Sequence, residues 1–129
     1  MKPTPKADIA GLTKVFQSLS DPSTIDTILI DFYRRMERDI IVGFFFEGKD
    51  LEKIARAQGE FLKSATGLIA KYTGKSPASA HLALAPILPG HFDRRLRILE
   101  ETLRDHGLAE SETRVWVQFE EAFREIVVG

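Results

Sequence analysis

The amino-acid sequence predicts an all-α fold, on three observations. Apolar residues recur at steps of three and four in five segments, the spacing of one helical face. No segment alternates apolar and polar residues as a half-buried strand does. No stretch repeats another at a fixed period or is low in complexity, so neither a repeat array nor a linker competes with packed helices.

The first helix is expected in "DIAGLTKVFQSLS", where Ile9, Leu12, Val15, Phe16 and Leu19 share a face. It stops at "SDPS". There Asp21 suits the cap of a second helix and Pro22 its first turn, which needs no amide hydrogen. In that helix Ile25, Ile28, Leu29, Phe32 and Met36 form a stripe with Tyr33 at its edge. "IIVGFFFEGKD" follows, with Gly43 and Gly48 bracketing three phenylalanines. Asp50 is the expected cap of a third helix whose stripe is Leu51, Ile54, Gln58, Phe61, Leu62 and Ala65. "TGLIAKYTGKSP" reads as a loop. Pro77 suits the start of a very short helix through His81, which Pro86 and Pro89 prevent from continuing. A fourth long helix is expected from about His91 to His106, with Phe92, Leu96, Leu99 and Leu103 inward and Gly107 ending it. A fifth begins at Ser111 and carries Val115, Trp116, Phe119, Phe123 and Ile126.

The 129 residues are expected to form one domain, 1–129, with 1–8 as a polar leader, and to remove roughly two-thirds of the unfolded surface from water. With 18 basic and 19 acidic residues the formal charge is −1, which gives no electrostatic footprint for nucleic acid or an anionic membrane. The absence of cysteine excludes disulfides, thiolate metal sites and cysteine nucleophiles. No segment approaches about 20 apolar residues and none resembles a signal peptide, so the expectation is a soluble cytoplasmic protein.

Three polar groups stand out on apolar faces: Tyr33, Gln58 and His81. Each needs a partner, because a buried polar group with unmade hydrogen bonds costs about 1–3 kcal/mol. Nearby backbone carbonyls or a place at the rim of the core would satisfy them separately. The alternative is that all three face one ligand, with His81 coordinating a metal. Iron in haem suits that alternative, since the porphyrin supplies four nitrogens and one histidine suffices. The three histidines form no close cluster for zinc or a di-iron site.

"DFYRRM" with Tyr33, the "FFF" ending at Phe46, "QGEFL" with Gln58 and Phe61, "YTG" at 72–74 and "HLALAPILPGHFD" from His81 resemble the truncated haemoglobin family in order and spacing. These are shortened globins with two helices packed on two around haem. The resemblance runs from about Val15 to the last helix. Tyr33 and Gln58 resemble the distal pair of its group I, whereas "HLALAP" resembles group III. "SLSDPS" stands where the family usually has a Gly-Gly pair.

The resemblance implies that haem b, iron protoporphyrin IX, is ligated by His81. Tyr33 and Gln58 would be the distal polar residues, Phe46 the ring stacked on the porphyrin, and Ile54 an apolar distal gate. Phe61 would line a route for diatomic gases, and Tyr72 and Thr73 would lie near the propionates. Phe32, Ile87 and Phe92 complete the implied haem-facing set. The implied function is binding of dioxygen, nitric oxide or carbon monoxide. It extends to oxidation of nitric oxide to nitrate with an electron-donating reductase, by a monomer or weak dimer. A gas sensor or store without turnover and a haem-free globin-like interaction module are the rival readings. Arg95 falls where the family often places an apolar or tryptophan side chain, and the cost of an unpaired buried guanidinium sends it, by expectation, to a propionate or to solvent. His91 is expected to cap a helix and His106 to close one in an exposed position. Lys53 and Arg56 are expected in solvent, and Trp116 in the core.

Overall fold

The computed structural model describes residues 7–19, 21, 23–69 and 86–128. Every regular element among them is helical. Helix α1 spans Ile9–Ser18, and the Asp8 carboxylate accepts a hydrogen bond from the Gly11 amide at 2.8 Å as its cap. Only Leu12, Val15 and Phe16 of its expected stripe are buried, while Ile9 is exposed. Helix α2 spans Ser23–Glu37 and starts where Asp21 Oδ1 accepts from the Ser23 amide at 2.9 Å; Pro22 lies outside the described residues. Ile25, Ile28, Leu29, Phe32, Tyr33 and Met36 are all buried, so Tyr33 sits inside the stripe and not at its edge.

The chain leaves α2 through a turn built on Asp39. Its Oδ2 accepts from the amides of Ile41 at 2.9 Å and Val42 at 3.1 Å, and its Oδ1 from Nε and Nη2 of Arg94 at 2.9 and 2.7 Å. A single 3-10 turn, Gly43–Phe46, follows and presents the three phenylalanines. Helix α3, Leu51–Ala65, begins at the expected cap, with Asp50 Oδ1 accepting from the Lys53 amide at 3.2 Å.

Helix α4 is Pro89–Asp105. It starts two residues earlier than the expected His91, because Pro89 occupies the first helical position, where a missing N–H costs nothing. His91 Nδ1 accepts from the Leu88 amide at 3.0 Å, the capping role expected of it. Phe92, Ile98, Leu99, Thr102 and Leu103 are buried, whereas Leu96, expected inward, is half-buried. The helix ends at Gly107 with φ +86°. His106 is not exposed as expected: its Nε2 lies 2.8 Å from Asp31 Oδ2 of α2 and it is half-buried. Helix α5 is Glu110–Glu121, one residue earlier than expected, and a short α6, Arg124–Val127, replaces the continuous last helix. Trp116 is fully buried and meets Phe16 edge-on at 5.0 Å.

Helix α2 packs on α3 and α4, α4 on α5, and α5 on α1. The α2–α3 contact is close because Gly59 has no side chain: a Cβ there would lie 2.8 Å from Asp26 Oδ1 and 3.5 Å from Leu29 Cδ1. Asp26 in turn pairs with Lys63 Nζ at 2.7 Å.

Gly59→Val is therefore expected to destabilise the protein by about 1–3 kcal/mol through overpacking, seen as a lower urea midpoint at unchanged m. Asp39→Asn tests the turn. Hydrogen bonding to Arg94 holds the Asp39 carboxyl below its ordinary value. Its contribution is thus present at neutral pH and lost as pH falls through the folded-state value. The substitution should cost about 1–3 kcal/mol at neutral pH. The gap to the unsubstituted protein should close on acidification, in urea titrations run across the acid range.

Candidate functional site

Two of the three polar groups singled out in the sequence, Tyr33 and Gln58, lie where side chains of four helices come together. Tyr33, from α2, is 6% exposed. Its ring has the Phe46 ring edge-on at 5.8 Å and the Phe32 ring at 5.1 Å. Two turns of α3 carry Ile54, Gln58 and Phe61 on one side, at helical spacing. This is not the side that packs on α2, which is Ala55, Gly59 and Leu62. Helix α3 therefore has two faces with apolar residues. One is closed by α2, and on the other Ile54, Gln58 and Phe61 are each only half-buried.

Gln58 and Tyr33 are joined through two residues from the other helix pair. Gln58 Nε2 donates to Glu120 Oε1 at 3.2 Å, and Arg95 Nη1 donates to Glu120 Oε2 at 3.3 Å. The Arg95 guanidinium also interacts electrostatically with the Tyr33 side chain. The guanidinium carbon stands 5.1 Å over the Phe32 ring, a cation–π contact. Arg95 thus turns inward and not to solvent, one of the two destinations expected from the sequence, because the Glu120 carboxylate supplies a partner. Its side chain is 19% exposed and that of Glu120 only 7%. Burial works against the charge on Arg95, but the Glu120 carboxylate and the Tyr33 oxygen outweigh it and hold its pKa above the ordinary value.

Glu120 was absent from the sequence reading. The available signal was its position four residues after Trp116 and one after Phe119, on the buried side of α5.

Of the remaining residues, Phe32 is fully buried beneath Arg95, and Phe61 packs edge-on to Phe123 at 5.7 Å. Phe92 is buried with the Arg124 guanidinium 4.7 Å from its ring centre. Ile87 is half-buried just before α4. Lys53 and Arg56 are exposed, as expected. Tyr72, Thr73 and His81 lie outside the described residues. Among the described residues no three histidine, aspartate or glutamate side chains gather as a metal-binding set, and no helix is long and apolar enough to cross a membrane.

The arrangement is compatible with a flat, largely apolar group bordered by polar side chains. The half-buried face of α3 offers a wall. Phe44 and Leu88, 51% and 54% exposed, are large apolar side chains of the kind that such a group would cover. Tyr33 and Gln58 are the polar side chains beside that face.

Comparison with known proteins agrees with this geometry. The family model described as bacterial-like globin matches residues 14–127. The chain is 30% identical over 95 residues to the group 1 truncated hemoglobin LI410 of Chlamydomonas moewusii, covering 73% of this chain and 56% of that protein. It therefore spans little more than half the length of that relative. It is 28% identical over 96 residues to a group 1 truncated hemoglobin of Tetrahymena thermophila, covering 74% of this chain and 78% of that one. The 2/2 hemoglobin from Synechococcus sp. PCC 7002, solved in the cyanomet state with covalently attached heme, superposes with a TM-score of 0.74 at 21% identity, over 88% of this chain and 97% of that chain. Helix order, the pairing of α2 with α3 and α4 with α5, and the match over residues 14–127 lead to one conclusion: the chain belongs to the bacterial-like globins and has the truncated globin fold.

Proposed function

We propose that the protein binds haem b through His81 and holds a diatomic gas in the pocket formed by Tyr33, Gln58, Phe46, Ile54 and Phe61. The observation that carries this reading is that Gln58 of α3 and Arg95 of α4 share the Glu120 carboxylate close to the buried Tyr33, beside an apolar, half-covered face of α3. Membership of the globin family supports it. Haem, when bound, supplies the iron at which the gas is held.

The chain's own residues do the rest. Tyr33 donates its hydroxyl proton to the negative end of a polarised ligand, and Gln58 supports it from α3. Both act in a pocket from which the aromatic and aliphatic walls exclude water, where a donor is worth more than in solvent. Ile54, as the gate, adds no competing donor. Dioxygen, with the greatest capacity to accept charge, is the ligand this pocket favours, and slow release is the result. The turnover we propose is oxidation of nitric oxide, in which one nitric oxide, one dioxygen and one electron give one nitrate. The electron comes from a separate reductase.

His81→Ala should abolish the Soret band of the haem-supplied protein while far-UV circular dichroism stays helical; retention of an unchanged Soret band would refute ligation by His81. Tyr33→Phe should speed dioxygen release about ten- to hundredfold, the loss of one hydrogen bond to a charge-bearing ligand, in stopped-flow displacement. Mixing the oxygenated protein with nitric oxide should yield nitrate and the ferric spectrum, and gas exchange without nitrate would leave a store in place of an enzyme.

A further inference from the structure

We propose that Glu120, held by Arg95, is a positioning residue for Gln58. It takes the amide nitrogen and so leaves the carbonyl oxygen of Gln58 to face the pocket, which then favours ligands that carry a proton over anions that only accept one. The inference rests on the haem reading above. Gln58 Nε2 donates to Glu120 Oε1 at 3.2 Å. The two ends of the amide are told apart here by chemistry, because a carboxylate only accepts and an amide oxygen facing it would set two acceptors together. Glu120 is itself pinned. Its other oxygen, Oε2, accepts from Arg95 Nη1 at 3.3 Å, and the Arg95 guanidinium stands 5.1 Å over the Phe32 ring. The carboxylate therefore has little freedom to follow a turning amide, and its side chain is buried.

Gln58 is half-buried on the face of α3 that it shares with Ile54 and Phe61. Nitrogen and oxygen diverge from one carbon, so a nitrogen drawn to α5 sends the oxygen away from α5 along that face. A glutamine in an apolar stripe can offer either a donor or an acceptor. Glu120 makes the choice. Bound water or hydrogen sulfide gains a hydrogen bond from the carbonyl, whereas fluoride meets the negative end of its dipole.

The test is the sign of the Gln58→Leu effect on fluoride affinity of the oxidised, haem-loaded protein, read as a Soret titration. In the unsubstituted background this substitution should tighten fluoride about three- to tenfold, the scale of one hydrogen bond. Glu120→Gln supplies the second background. Its single oxygen stays with the Arg95 cation and its NH2 group faces Gln58, which must answer with its carbonyl and release its own N–H to the pocket. There Gln58→Leu should weaken fluoride by a similar factor. Comparison within each background removes the effect of the lost charge. The side-chain amide protons of Gln58 give a second readout, by NMR of the carbon monoxide complex. One of them should be carried downfield by the carboxylate and should return to the ordinary position in Glu120→Gln. Weaker fluoride binding on Gln58→Leu in the unsubstituted background, or the same sign in both backgrounds, would overturn the proposal. Should Glu120→Gln not fold, Arg95→Leu with Glu120→Leu removes the pair without leaving a charge unpaired, and the same reversal decides the matter. Failure of the unsubstituted protein to take up haem would overturn the haem reading, while the Gln58 proton, read without haem, still decides the orientation of the amide.

Discussion

The close approach of α2 and α3 at Gly59 is the constraint on which the arrangement of the site depends. Asp26 and Leu29 fill the space where a side chain would stand. With the backbones that near, α2 can be covered by α3 on one side and by α4 on another, and all six of its large inward residues are buried. Tyr33 is one of these six. It is buried, and a buried hydroxyl demands a partner. The polar network follows from the packing.

The cation beside Tyr33 shapes the electrostatics of the pocket. A guanidinium brought into the interior would be prohibitive alone, and the carboxylate of Glu120 makes it tolerable. Because Glu120 also accepts from Gln58, the network spans both helix pairs: Tyr33 and Gln58 from one, Arg95 and Glu120 from the other. The phenyl ring of Phe32 beneath Arg95 completes the guanidinium's surroundings without offering it a competing acceptor.

The turn after α2 is fixed by a different kind of bond. Asp39 ties the turn after α2 to Arg94 at the start of α4, and so holds the three-phenylalanine turn against the helix it faces. His91 contributes from the same region. Its ring caps α4 through the Leu88 amide and packs edge-on against Phe44 at 5.6 Å and Phe45 at 5.1 Å. Neighbouring residues 94 and 95 thus have unlike duties, one bracing the turn and the other reaching the pocket.

What the sequence determined by itself was the local part. The 3.6-residue periodicity of apolar side chains gave the helices, and Asp21, Asp50 and Gly107 marked ends of three of them, because capping is a contact within a few residues. The place of Gln58 within the apolar stripe of α3 was legible for the same reason, whereas Tyr33 was read at the edge of its stripe and is buried within it, and the ordered motifs around them pointed to the family. The boundary of α4 was misplaced because Pro89 was read as a stop when it serves equally as a first residue. Tertiary structure alone decided where Arg95 points. That depended on a carboxylate 25 residues away, and its charge, taken in isolation, argued for solvent. Glu120 was passed over on the same logic, since either charge looks exposed until the other is seen beside it. An ion pair between helices has no period and no spacing; it exists only once packing has brought its two halves within reach.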